Sequence, residues 1–348
     1  MRHFARNALG LVYMNLLDPD LFRTDISVAR ARELFVDYCG GVEIENHNYC
    51  NRTCWFCPNA QIDRRTDVTL MPDALFAKII DDLASVDWHR KLSWSRYHEA
   101  FADDSIFDRL TTARAALPRA ALVVFSNGDY LDKDKISRLE ACGLDVLVLS
   151  LYPPDGREGE LATVESVVRR FTQRTGLELA RVDPYRHAVV GAKFKSVVRV
   201  RNFHREKMTS RAGAVETRDR EQPTRRHLCA HPLRGMVIDF NGKATICCET
   251  LSDLPAHAGT VVGDVSRPDY GLFHLYRDLA PYRANLLSPE PKKGVCATCT
   301  AAPFLPSAAG RRPVLASALR GVPGLRGAFA RRQARHLDAL SYSEGAFH

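Results

Sequence analysis

Between residues 42 and 202 the chain alternates two hydrophobic rhythms. Short runs rich in apolar and β-branched residues fall at 42–45, 91–95, 121–126, 145–151, 177–182 and 196–201, and read as strands. Between them apolar positions recur every three or four residues. Residues 72–86 place Leu75, Phe76, Ile79, Ile80 and Leu83 on one helical face, and 104–117, 133–141 and 160–171 follow the same period. Strands alternating with helices predict an α/β fold, a partial (β/α)6 barrel on a parallel sheet. In such folds the reacting groups sit on loops at the C-terminal ends of the strands.

The flanks follow other patterns. Residues 1–40 read as an N-terminal helical extension with a helix at 26–38, ahead of a barrel at 41–215. A basic linker at 218–226 leads to a smaller unit at 225–305. There two β-like runs, 236–240 and 243–248, flank Asn241-Gly242, a strong hairpin signal. Residues 306–348 form a basic tail.

Composition narrows the class. At 348 residues the chain has room for one large domain and a smaller one, and 45% apolar with 26% charged residues is ordinary for a globular protein. No run approaches the roughly 18 apolar residues of a membrane span. The apolar run within residues 1–17 is interrupted by Asn15 and lacks a small-residue cleavage site, which argues against a signal peptide. Ten cysteines in a chain of this length are no disulfide scaffold. Most fall into ligand-like groups, so a reducing cytoplasm is expected. The net charge of +8 is concentrated in seven arginines between Arg311 and Arg335, a stretch without an acid; the remainder carries about +1. The tail is therefore expected to be solvated or weakly ordered, and a nucleic-acid partner is not indicated.

The candidate chemistry begins just after the first strand. Cys50, Cys54 and Cys57 have C-x3-C-x2-C spacing, with Phe56 before the third thiol. Three thiolates fit a cubane iron–sulfur cluster whose fourth iron has no protein ligand and is open to substrate or cosubstrate. A zinc knuckle is the competing reading, but it would need a second ligand pair, and none lies nearby. The spacing resembles the signature of the radical S-adenosylmethionine (SAM) superfamily. That resemblance implies the same partial barrel, a [4Fe-4S] cluster with SAM on its open iron, and release of a 5′-deoxyadenosyl radical. It also implies positions for SAM contacts. Tyr97-His98-Glu99 stands where the family has Gly-Gly-Glu, making Glu99 the candidate for the SAM ammonium. Phe125-Ser126-Asn127-Gly128 is similar to a family strand end, which brings in Asn127. Ser150 closes the fourth strand and is a candidate for the SAM ribose or carboxylate. Arg199 and Arg201 share a face of the last strand and face either a carboxylate or solvent.

A second set, Cys229, Cys247, Cys296 and Cys299, makes a complete four-thiolate site, open to zinc or to a cluster. Its order, a Cys, then Gly-x4-Cys, then C-x2-C, resembles the SPASM/twitch extension of radical SAM proteins. With no Cys beyond 299, the resemblance implies one auxiliary [4Fe-4S] cluster rather than two. Cys248, beside Cys247, is an alternative ligand, a buried thiol or a hydrogen donor to a substrate radical. Cys39 and Cys142 read as structural.

A fully ligated cluster cannot bind substrate but can accept an electron. The resemblance therefore implies dehydrogenation or epimerisation of a sugar- or aminocyclitol-like natural-product intermediate, with flavodoxin or ferredoxin as electron donor. Family members also modify ribosomal peptides and protein side chains, so a peptide substrate is the alternative. A zinc- or cluster-binding protein without activity is a third.

Overall fold

The computed structural model describes residues 17–152, 161–200, 209–216 and 224–301. The expected tail at 306–348 and Arg201 lie outside the described residues.

Among the described residues the first α-helix is α1 (Val28–Tyr38), capped by the Ser27 hydroxyl, which accepts from Arg30 N at 3.1 Å. Then come β1 (Gly41–Ile44), α2 (Asp73–Ala84), β2 (Lys91–Trp94), α3 (Ser105–Ala116), β3 (Ala121–Ser126), α4 (Lys133–Ala141) and β4 (Val146–Leu151). These four strands pair in parallel in sequence order, β1-β2-β3-β4. The expected apolar face of α2 is buried residue for residue. Each such side chain contributes roughly 1.5–3 kcal/mol on leaving water.

After β4 the regular alternation ends. Helix α5 (Leu161–Thr175) leads to β5 (Glu178–Arg181), β6 (Arg186–Val190) and β7 (Lys195–Val200). Only β7 returns to pair in parallel with β4; β5 and β6 form an antiparallel meander at the sheet edge. The run at 177–182 is thus an edge strand, not a fifth parallel one, and β6 has no counterpart among the expected strands. Its half-exposed residues lack the hydrophobic alternation that marks a core strand.

The sixth parallel strand comes from farther along. Helix α6 (His231–Arg234) is followed by β8 (Gly235–Ile238), which pairs in parallel with β1. β9 (Lys243–Thr245) turns back on β8 through Asn241-Gly242, and β10 (Val261–Asp264) completes the edge. Gly242 has φ +82°, the left-handed conformation this turn requires. The expected hairpin is present, and it extends the sheet, whose full order is β10-β9-β8-β1-β2-β3-β4-β7-β6-β5. Helices α7 (Leu272–Asp278) and α8 (Ala280–Leu286) are the last α-helices among the described residues, and α1 packs on α7 through Phe35, Phe273 and Tyr276. The α/β class with a parallel core and a hairpin-bearing C-terminal segment is borne out.

One sheet face carries Val42, Ile44, Leu92, Trp94, Leu122 and Val124 into the helical layer. Alternation sends Glu43, Ser93, Val123 and Val146 to the other face, in one register row. That inner face is polar on the β1–β2 side and apolar on the β3–β4 side.

Candidate functional site

The Cys50–Cys57 loop leaves the C-terminal end of β1, at the mouth of the parallel strands. Its backbone is folded on itself: Cys57 N donates to Cys54 O at 2.9 Å, and Cys50 N donates to Arg64 O at 3.2 Å. All three thiols are half-buried. Burial first, and neighbouring thiols among the further causes, push Cys50 up to about 12 and Cys54 and Cys57 up to about 11. Three sulfurs that disfavour one another's ionisation are a donor set that a bound cationic metal centre converts to thiolates. Three thiols without a fourth protein ligand are the donor set expected of a cubane with one open iron.

The loop is fastened to the turn after β3. Arg52 makes a forked pair with Asp129, Nε to Oδ2 at 2.6 Å and Nη2 to Oδ1 at 2.7 Å. Asn51 Nδ2 donates to the same Asp129 carboxylate at 2.7 Å, and Asn127 Nδ2 donates to Asn51 Oδ1 at 2.8 Å. The hydroxyls of Tyr49 and Tyr130 lie 3.0 Å apart. At the centre of this turn Gly128 has φ +78°, and a Cβ there would come within 2.8 Å of Leu151 Cδ2. Both the backbone and the space demand glycine.

Glu99 sits beneath the same turn, fully buried. Its Oε1 accepts from Ser126 Oγ at 2.6 Å and Phe101 N at 3.2 Å, and its Oε2 accepts from Asn127 N at 2.7 Å. Burial nonetheless pushes its carboxyl up to about 7. Phe56 is buried and stacks on Tyr152, ring centroids 5.6 Å apart, while the Arg52 guanidinium covers Tyr152 at 5.1 Å. Ser150 and Arg199 are register partners across β4 and β7. The structure thus brings Cys50, Cys54, Cys57, Phe56, Glu99 and Asn127 into one linked cluster, with Ser150 and Arg199 on adjoining strand ends.

The second thiol set is assembled from three segments: Cys229 before α6, Cys247 after β9, and Cys296 and Cys299 after α8. Burial pushes up Cys247, Cys296 and Cys299, with Cys229 a further cause in each. Cys229 is thus an electrostatic neighbour of the other three thiols. Cys248 is half-buried, its Sγ 3.9 Å from His231 Nε2 and 4.0 Å from Nδ1. Cys39 and Cys142 are buried in the core.

A buried strut joins the two sets. Arg96, at φ +88°, donates through Nη2 to Asp239 Oδ1 at 2.5 Å and Thr250 O at 2.6 Å, and through Nη1 to Cys247 O at 3.2 Å. Both members of the Arg96–Asp239 pair are completely buried. The Tyr97 hydroxyl donates to Cys248 O at 2.9 Å, and Tyr97 O accepts from Asn59 Nδ2 at 2.7 Å, two residues past Cys57. Arg64 bridges Glu45 and Asp253 at 2.9 and 2.7 Å on the same side. No sequence signal marks Asn51, Asp129, Arg96 or Asp239, because each matters only through a partner distant in the chain.

The parallel α/β core carries the three-thiol loop after β1, and its likeness to known proteins agrees with the radical SAM resemblance carried by the triad. Over 113 residues the chain is 30% identical to the S-adenosyl-L-methionine-dependent 2-deoxy-scyllo-inosamine dehydrogenase of Niallia circulans, a stretch covering 32% of this chain and 44% of that protein. The match thus spans less than half of the relative's length. The fold is shared with BtrN in complex with AdoMet and 2-DOIA (TM-score 0.52, 17% identity, 75% of this chain and 93% of that one). An open conformation of BtrN aligns with a TM-score of 0.50 at 17% identity, over 75% of this chain and 92% of that one. No protein-family profile matches the chain. Among the described residues no helix is long and apolar enough to cross a membrane.

Proposed function

We propose that this chain is a radical SAM oxidoreductase acting on a C–H bond of a sugar- or aminocyclitol-like small molecule. The observation that carries the reading is the buried Arg96–Tyr97 strut, which ties a three-thiol loop to a segment of a four-thiol set. The likeness to an inosamine dehydrogenase supports the substrate class. Loaded with clusters, SAM and an electron from a flavodoxin- or ferredoxin-type donor, the triad site would supply hydrogen-atom abstraction and the four-thiol site an acceptor for the electron left behind, so that with loss of a proton an alcohol carbon would become a carbonyl.

The chain's own residues bind and orient. Cys50, Cys54 and Cys57 hold the first cluster, and Cys229, Cys247, Cys296 and Cys299 the auxiliary one. Glu99 keeps an acceptor position on Oε2 beyond the hydrogen bond from Asn127, and receives the SAM ammonium there. A neighbouring cation also restores the ionised form that burial disfavours. Arg199 faces a carboxylate of SAM or substrate, Ser150 lies beside it for the ribose or carboxylate, and Asn127 and Phe56 shape the floor.

Cys248 favours a second reading. Its half-exposed thiol, beside His231, is placed to return a hydrogen atom to a substrate radical, which gives epimerisation instead of oxidation. Anaerobic turnover with SAM, reductant and 2-deoxy-scyllo-inosamine in D2O tests both. One ketone per 5′-deoxyadenosine supports oxidation. Deuterium at the inverted carbon without a ketone supports epimerisation. SAM cleavage uncoupled from any product removes this substrate class.

A further inference from the structure

Arg225 lies in the segment that reads in sequence as a basic linker, yet only 6% of its surface is exposed. Its backbone is held on both sides, donating to Ala297 O at 2.7 Å and accepting from Lys292 N at 2.8 Å. The guanidinium donates to Cys299 Sγ at 3.5 Å and to the carbonyls of Cys299, Ala301, His227 and Leu228. Lys292 is 2% exposed, and its ammonium donates to the carbonyls of Asn285, Ser288 and Glu290. Neither cation has a carboxylate within ion-pair distance among the described residues.

That arrangement is unusual within this molecule. Arg64 is paired with Glu45 and Asp253, Arg96 with Asp239, and Arg211 with Glu249. Arg283, the other fully buried arginine without a carboxylate, lies 4.5 Å over the Tyr276 ring and donates to three carbonyls. A buried cation left without an anion costs several kcal/mol. Beside Arg225 and Lys292 the groups able to supply negative charge are the thiols of Cys229, Cys296 and Cys299 and, for Lys292, the more distant Glu290 carboxylate, which makes no ion pair with it.

We propose that Arg225 and Lys292 form a cationic cradle that raises the reduction potential of the cluster held by Cys229, Cys247, Cys296 and Cys299, fitting it to take up the substrate's electron. The inference rests on the oxidoreductase reading above. The physical basis is charge. A four-thiolate [4Fe-4S] centre carries −2 when oxidised and −3 after gaining one electron, so nearby cations and N–H···S hydrogen bonds stabilise the reduced form more. At the triad the nearby cations are paired with carboxylates instead: Arg52 with Asp129, Arg64 with Glu45 and Asp253, and Arg211 with Glu249.

The test is an EPR-monitored redox titration of the anaerobically reconstituted full chain, in the native sequence and in a Cys50→Ala/Cys54→Ala/Cys57→Ala background that isolates the auxiliary centre. Arg225→Met and Lys292→Met are each expected to lower that centre's midpoint potential by about 59 mV or more, a tenfold weaker uptake of one electron. The triad's centre should not move, and Arg225→Lys should retain most of the native potential. An unchanged potential at full iron content overturns the cradle and leaves the oxidoreductase reading standing. A second site that holds zinc and no iron overturns both. Should Arg225→Met fail to fold, Lys292→Met decides, because its side chain donates only to carbonyls at and just beyond the end of α8 and to no thiol.

Discussion

The two thiol sets differ in how the chain builds them and in the charge that surrounds them. The triad comes from eight consecutive residues, and its loop is fixed by a neutral-to-acidic network of Asn51, Arg52, Asn127 and Asp129. The four-thiol set comes from three segments spread over some seventy residues and is flanked by buried cations. A local loop can hold one open iron for a small cosubstrate, and it needs only its neighbouring turn for support. A site assembled from distant segments depends on the sheet edge, where β8 docks on β1 and β9 turns back on β8 to bring Cys247 toward Cys229. Under the proposed function the first set would serve the making of a radical and the second the removal of an electron.

The contrast can be broken at the strut. Arg96→Met leaves Asp239 buried without its partner and frees the carbonyls of Cys247 and Thr250, so a loss of about 3–5 kcal/mol is expected. Denaturant unfolding of the variant measures it, and iron retention should fall at the four-thiol set before the triad. Asp129→Ala tests the other side. It removes the acceptor shared by Asn51 and Arg52, and a 10–100-fold loss of SAM cleavage is expected at near-native stability, as for outer-shell partners of metal ligands. If instead the auxiliary centre were lost first, the two sites would not be independently supported.

A smaller effect concerns acid. Burial pushes the His47 imidazole down to about 4, and its Nδ1 accepts from Tyr49 N at 3.1 Å one residue before Cys50. The unfolded chain binds that proton near pH 6.5 and the folded chain only near 4, so stability is full above pH 6.5 and declines as pH falls toward 4. His47→Asn keeps an acceptor and should remove on the order of 2 kcal/mol of that decline. Urea unfolding of the metal-free protein between pH 4 and 7 reads it without interference from acid loss of a cluster.

Much of this was legible in the sequence, and the reasons are local. The triad spacing, the Asn241-Gly242 hairpin and the amphipathic period of α2 all lie within a few residues of their consequences. The edge meander was not, because β5 and β6 are half-exposed and carry no core alternation. Nor was the sixth parallel strand, since Gly235–Ile238 reads as a hairpin arm whichever sheet it joins. Glu99 was picked out through its position in a motif, but its three donors come from Phe101, Ser126 and Asn127, two of them on another strand end. Arg225 was the hardest. In sequence it is one basic residue in a polar linker, and only the fold buries it against Cys299.

The central claim is that seven thiols hold two centres of different kinds. Iron and acid-labile sulfide analysis of anaerobically reconstituted protein tests it most directly. About seven to eight irons per chain are expected, falling to about four when Cys50, Cys54 and Cys57 are all changed to Ala. About four irons in the native chain, with zinc present and no iron left in the triple variant, would contradict it.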